Sequence, residues 1–201
     1  MAGMTISPEG KLRWDHFLAQ MVALANDPSP ETELLDRGEA ALAALVAVDD
    51  WLPDPFAVPD PQRYQQHLLH RDPAGRLSVV SFVWGPGQAT PIHDHTVWGL
   101  VGVLRGSEAS QRYTRDGDGL LRAAGTAQVL LPGDIDRLSP TKGDIHQVTN
   151  VYNDVSISIH VYGADIGAVK RHSFDADGGV RTFISGYSES AAPADWTGHR
   201  E

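Results

Sequence analysis

The sequence predicts an all-β domain, a sandwich or closed barrel of short strands, with α-helices confined to its N-terminal end. Three observations carry this. The apolar period is helical up to about residue 50 and two thereafter. From there, short β-forming runs separated by Gly/Pro turns continue almost to the C-terminus with no helical stretch between them, which argues against a parallel α/β sheet. The length of 201 residues, 41% of them hydrophobic and 21% charged, suits one domain with a substantial core.

The elements follow in order. Residues 11–26 carry Trp14, Leu18, Met21, Val22 and Ala25 at helical spacing, and Asp27-Pro28-Ser29-Pro30 stops that helix. Ser29 can cap a second helix, with Pro30 at its first position and Glu31 and Glu33 near its positive end. Leu34, Leu35, Leu42, Leu45 and Val46 give it an apolar stripe. Both helices are expected to cover one end of the β core. Residues 51–61 are a proline-rich connector. Strands are expected at 64–70 and 76–84, around the turn-forming Asp72-Pro73-Ala74-Gly75. Others are expected at about 97–104, 109–115, 126–131, 145–151, 155–162 and 180–185. The stretch after Gly186 is small and polar and reads as a tail. The division is thus a helical segment 1–60 packed on the barrel, a β domain 61–186 and a tail 187–201, as one structural domain.

Charge and composition exclude several classes. A formal charge of −10 argues against nucleic acid, because phosphate attraction needs a basic face. No apolar run is long enough to span a bilayer. Met1 to Gly10 lacks the basic start and apolar core of a secretion signal, so the cytoplasm is the expected compartment. The absence of cysteine removes disulfides, thiolate ligands and a cysteine nucleophile together.

The chemistry concentrates in two stretches. His93 and His95 alternate on what reads as a strand, where residues two apart share a face, so two imidazoles converge as half a metal site. In Val155–Tyr162 the alternation is complete: Val155, Ile157, Ile159 and Val161 take one face, and Ser156, Ser158, His160 and Tyr162 the other. Ser158, His160 and Tyr162 then stand about 6–7 Å apart in a row that can form a hydrogen-bond relay. The plainer reading is the solvent face of an edge strand.

Around the histidines, Gly87 lies six residues before His93 and Gly106 eleven after His95. Further on come Gly133-Asp134 and Gly143-x-x-His146-x-x-x-Asn150. This pattern resembles the two motifs of the cupin superfamily, Gly-x5-His-x-His-x3,4-Glu-x6-Gly and one ending Gly-x2-His-x3-Asn. The resemblance implies a double-stranded β-helix (jelly-roll) barrel with His93, His95 and His146 as metal ligands. Two departures stand out. Gly99 occupies the place of the metal-binding glutamate, and Pro140 sits three residues before Gly143 rather than two. Without the carboxylate, a divalent ion on three neutral imidazoles keeps its full charge and has positions open for an anionic ligand such as a thiolate.

A narrower resemblance covers residues 60–165. Ser158-x-His160-x-Tyr162 after a three-histidine cupin site, with Tyr64-Gln65-Gln66, Trp84-Gly85-x-Gly87 and Ile92-His93-Asp94-His95-Thr96 in order, is similar to the thiol dioxygenases of the cysteine dioxygenase family. That implies Fe(II) on His93, His95 and His146, with Ser158, His160 and Tyr162 as the outer relay and O2 and a small thiol as partners. The mammalian-type members have a cysteine, cross-linked to the tyrosine, aligned with Gly99; here Tyr162 must be unmodified. They also have an arginine for the substrate carboxylate where this chain has Gln66. The glutamine resembles the bacterial branch of 3-mercaptopropionate dioxygenases. Gln66 donates hydrogen bonds but no charge, and the family suggests Arg171, beside Lys170, to supply it. The alternative for Arg171 is a solvated basic pair in a loop.

The expected function is therefore oxidation of a small thiol, 3-mercaptopropionate first, to its sulfinic acid by a monomer or small homo-oligomer. Cysteine as main substrate, another metal-dependent cupin enzyme, or a non-catalytic cupin binding a small acid are the alternatives. Asp94, Asn150 and Asp134 read as structural. Trp98 reads as pocket lining or core. His16, His67, His70, His172 and His199 have no partner visible in the sequence.

Overall fold

A computed structural model describes residues 6–175, 177–189 and 196; His199 and most of the tail lie outside them. The first helix, α1 (Pro8–Ala25), starts three residues earlier than the apolar spacing suggests. Ser7 caps it by accepting the Gly10 N–H at 2.8 Å, and Pro8 takes the first helical position. The second, α2 (Glu31–Val46), has Pro30 and not Ser29 as its cap. The Ser29 hydroxyl is spent locally, donating to Asp27 Oδ1 at 2.6 Å, so the expectation of a serine cap is corrected. A single 3₁₀ turn at Asp54–Phe56 follows.

Twelve strands come next: β1 (Gln65–Arg71), β2 (Ser78–Trp84), β3 (Ile92–His93), β4 (Gly99–Arg105), β5 (Glu108–Arg115), β6 (Leu121–Ala123), β7 (Gln128–Leu130), β8 (Ile135–Leu138), β9 (His146–Asn150), β10 (Ser156–Tyr162), β11 (Arg171–Phe174) and β12 (Val180–Phe183). One sheet runs β1-β2-β10-β4-β8. The other runs β12-β11-β3-β9-β5-β6, with β7 also paired to β5. All the pairings between these strands are antiparallel. The two sheets curl into the double-stranded β-helix expected from the cupin resemblance. The strands read as connections, β6, β8 and β11, have only three or four residues each, too few for an alternation to register.

Strand β10 is not an edge. It lies between β2 and β4, and every residue from Ser156 to Tyr162 is buried. Its Ile157, Ile159 and Val161, with Val79, Val83, Leu100 and Leu104 of β2 and β4, pack under α1 and α2. Its other face, with Val80, Phe82 and Trp84, looks into the barrel. The helices therefore cover a face of the first sheet rather than one end of the β core. Gly102 makes that contact close: a Cβ there would stand 2.9 Å from Ile135 and 3.0 Å from Leu42. Trp196, from the segment read as a polar tail, belongs to this same core. It packs 4.6 Å from Trp14, centroid to centroid, and donates its Nε1 proton to the Leu69 carbonyl.

Candidate metal centre

Three imidazoles meet inside the barrel. His93 on β3 and His146 on β9 are register partners across two strands. His95 lies just beyond β3, so regular strand alternation is not what turns it inward. Asp144 does this instead. Its Oδ2 accepts the N–H groups of both His95 and Thr96 at 2.9 Å, holding a turn in which Thr96 has a φ of 60°. One ligand nitrogen from each of His93, His95 and His146 lies within 4.8 Å of the others.

The other nitrogen of each ring is already engaged. Nδ1 of His93 faces the Pro91 carbonyl at 3.0 Å, and Nδ1 of His95 faces the Asp144 carbonyl at 3.1 Å. A carbonyl only accepts, so Nδ1 carries the proton in both rings and Nε2 has the lone pair. Nδ1 of His146 meets Ser110 Oγ at 3.2 Å, and Ser110 passes its own proton to Asp136 Oδ2 at 3.0 Å. Arg112 in turn holds Asp136. Each ligand thus has a second partner that orients its ring and fixes its tautomer, as metal-binding histidines usually do. Burial holds all three neutral: His93 is pulled down to about 4, and His95 and His146 lie well below the ordinary value, with mutual repulsion adding to desolvation. A set of three neutral nitrogens with no carboxylate fits a divalent transition ion with open positions. Ser110, Asp136 and Asp144 escaped the sequence reading; Asp144 sits two residues before His146, the one local hint.

Beside the triad, the β10 row is hydrogen-bonded end to end. Ser158 Oγ lies 2.8 Å from His160 Nε2, and His160 Nδ1 lies 2.8 Å from the Tyr162 hydroxyl. Trp84 Nε1 donates to Ser158 Oγ at 3.2 Å, and Phe82 stacks on the His160 ring at 3.9 Å. The Tyr162 ring stacks on His95, 5.6 Å between centroids, which brings the row to the ligands. Burial keeps Tyr162 protonated and His160 neutral. Gly99 is the register partner of Tyr162, and a Cβ on it would stand 3.0 Å from the tyrosine ring. A side chain at this position would press directly on the ring.

A cavity of about 360 Å³ opens on the triad through His93 and is lined also by Tyr64, Gln66, Phe82, Thr90, Pro91, Arg171, Ser173, Phe183 and Ser185. Gln66 and Arg171 therefore share one space. Arg171 is not in a loop: it starts β11, is 4% exposed, donates Nη2 to Ser185 Oγ at 2.7 Å and lies over the Phe183 ring. Its Nε has no partner, and among the described residues no carboxylate pairs with it. A larger cavity, about 530 Å³, lies between α2 and β5 and is lined by none of the three histidines.

The remaining sequence candidates are structural. Asp94 holds His172 through both its backbone N–H and its Nδ1. Asn150 donates to the carbonyls of Trp84, Gly85 and Asp154, and Asp134 accepts the Leu131 N–H. His67 meets the Val58 carbonyl at 3.4 Å, and His16 is exposed on α1. Trp98 packs against the helix-covered core. No helix among the described residues is long and apolar enough to cross a membrane.

Comparison with known families and structures gives the following. A family described as cysteine dioxygenase type I matches residues 40–175. Among solved structures, a conserved protein with a double-stranded beta-helix domain from Klebsiella pneumoniae subsp. pneumoniae MGH 78578 is 18% identical, with 64% of this chain and 91% of that chain covered and a TM-score of 0.45. An RmlC-like cupin protein from Desulfovibrio desulfuricans is 24% identical over 53% of this chain and 89% of that chain, with a TM-score of 0.35.

Proposed function

The chain belongs to the cysteine dioxygenase type I family, and from that premise we propose that it is an Fe(II)-dependent thiol dioxygenase acting on a small thiol carboxylate, 3-mercaptopropionate first. The product is the sulfinic acid. His93, His95 and His146 hold the ion. Bound there, Fe(II) would supply open positions for a thiolate and O2 and the electrons that start oxidation at sulfur.

The protein's part is binding and orientation. The observation that carries the substrate assignment is Arg171, a buried guanidinium that makes no salt bridge with any carboxylate among the described residues and faces the same cavity as Gln66 and His93. A buried unpaired cation is costly and favours an anion beside it. Gln66 adds neutral donors to the same carboxylate. Among the described residues that line the cavity there is no carboxylate to meet an ammonium group. This favours 3-mercaptopropionate, which has none, over cysteine, which does. Tyr162, held by His160 and Ser158, places a hydroxyl at the ligand face, and the aromatic wall of Tyr64, Phe82 and Trp84 keeps bulk water from the row. The proposal carries the cytoplasm as compartment and a monomer or small homo-oligomer as assembly.

The product tests this reading. Iron-loaded protein turning over 3-mercaptopropionate under ¹⁸O₂ should give a sulfinic acid heavier by both labelled atoms. Recovery of disulfide alone, or of product with oxygen from water, would sink it.

A further inference from the structure

Glu108 opens β5 and is a completely buried carboxyl behind the β10 row. No metal ligand or substrate-cavity role uses it. Its register partners are Asn150 on β9 and Leu130 on β7, both uncharged. From β10, the Ser156 hydroxyl lies 2.9 Å from its Oε1, the Ser158 hydroxyl lies near the same carboxyl without a hydrogen bond to it, and among the described residues no charged group bears on it.

Counting protons fixes its state. Ser156 Oγ lies 2.9 Å from the Arg105 carbonyl and 2.9 Å from Glu108 Oε1. A hydroxyl has one proton, and the carbonyl can only accept. Both contacts are satisfied together when Ser156 donates to Arg105 and Glu108 carries the proton that it gives to Ser156. Burial agrees, pushing the Glu108 carboxyl up to about 7. The second oxygen, Oε2, is buried and makes no hydrogen bond. An unsatisfied buried acceptor is costly, and among the described residues the Ser158 hydroxyl is the remaining group beside this carboxyl.

We propose that Glu108 is the inner, positioning member of the row: a neutral carboxylic acid whose free oxygen takes the Ser158 proton and thereby fixes His160 with its proton on Nε2. The rest follows link by link. Ser158 Oγ, donating to Glu108, accepts from Trp84 Nε1 and from His160 Nε2. His160 Nδ1, left with a lone pair, accepts the Tyr162 proton. Every polar atom of the row is then satisfied, and the Tyr162 oxygen turns lone pairs to the triad, ready to accept a hydrogen bond from an entering thiol. That last consequence rests on the thiol dioxygenase reading; the direction of the row does not.

The test is read on metal-free protein, so it is independent of turnover. Nitrogen-15 NMR distinguishes the two histidine tautomers, and the His160 signals are assigned by their loss in His160→Gln. Wild type should show a protonated Nε2 and a bare Nδ1. Glu108→Gln, whose amide can donate to Ser156 while its carbonyl accepts from Ser158, should keep that pattern. Glu108→Leu removes the acceptor, so Ser158 turns to His160 and the two nitrogen signals exchange character. A wild-type His160 protonated on Nδ1 overturns the proposal whether or not the leucine variant folds. So does a folded Glu108→Leu that keeps the wild-type tautomer.

Discussion

Gly99 shows how much one missing side chain changes at this site. With no carboxylate there, the triad is neutral; with no cysteine there, Tyr162 keeps a free ring, although the backbone stands close enough for a Cβ to touch it. On the proposed function, binding of the substrate carboxylate falls instead to Arg171 and Gln66, which share the cavity. Replacing Arg171 by Met should lower kcat/KM for 3-mercaptopropionate by roughly 10–100-fold, the worth of a charged hydrogen bond, and Gln66→Ala by less. Cysteamine, which has no carboxylate, should be nearly unaffected by either; steady-state kinetics on both thiols checks this. The ligands can be probed without touching them. Ser110→Ala leaves His146 Nδ1 without its oriented partner and should weaken metal binding about tenfold, as loss of an outer partner commonly does. Competition with a chelator measures it, and unchanged affinity would mean that Ser110 orients nothing.

At the scale of elements, β10 carries the most weight because it faces two interiors. Its apolar file closes the core under the helices, and its polar file forms the row beside the three histidines. That alternation is written in Val155–Tyr162, so the relay could be read before the fold was known. Arg171 is less legible, because a four-residue strand gives no period and its burial depends on Phe183 at the end of β12 and Ser185 just beyond it. His95 faces His93 and His146 for a reason that strand alternation does not give: β3 ends at His93, and Asp144, a residue distant in sequence, makes the turn. Ser110 and Asp136 were invisible for the same cause, since pairing of β5 with β9 brings them to His146 and no local motif announces it. Burial of both faces of the first sheet also has a testable cost. Gly102→Val would force a side chain into Leu42 and Ile135 and should destabilise the fold by about 1–3 kcal/mol, read as a lower midpoint in urea with the metal site still formed at low denaturant.

For the whole molecule, five buried histidines held neutral make the metal-free protein sensitive to acid. Between the ordinary histidine value of 6.5 and about 4, the unfolded chain takes up a proton at His93 that the folded chain refuses, so stability falls as pH falls through that window. His67, His95, His146 and His160 act in the same direction. Glu108 opposes them: the folded chain holds a proton there between 4.5 and about 7 that the unfolded chain has lost, which favours the fold on the acid side. Five groups against one predict a net loss of stability from pH 7 to pH 5, seen as a lower Tm of the metal-free protein, and a steeper loss in Glu108→Gln. On the proposed function, barrel, triad, row and cavity together hold an ion and an anionic thiol side by side. Oxygen uptake by protein of measured iron content, over a panel of 3-mercaptopropionate, cysteine and cysteamine, tests that claim most directly. Uptake proportional to bound iron, one O2 per thiol and fastest with 3-mercaptopropionate, is the predicted result; no thiol-dependent uptake by the iron-loaded protein would contradict it.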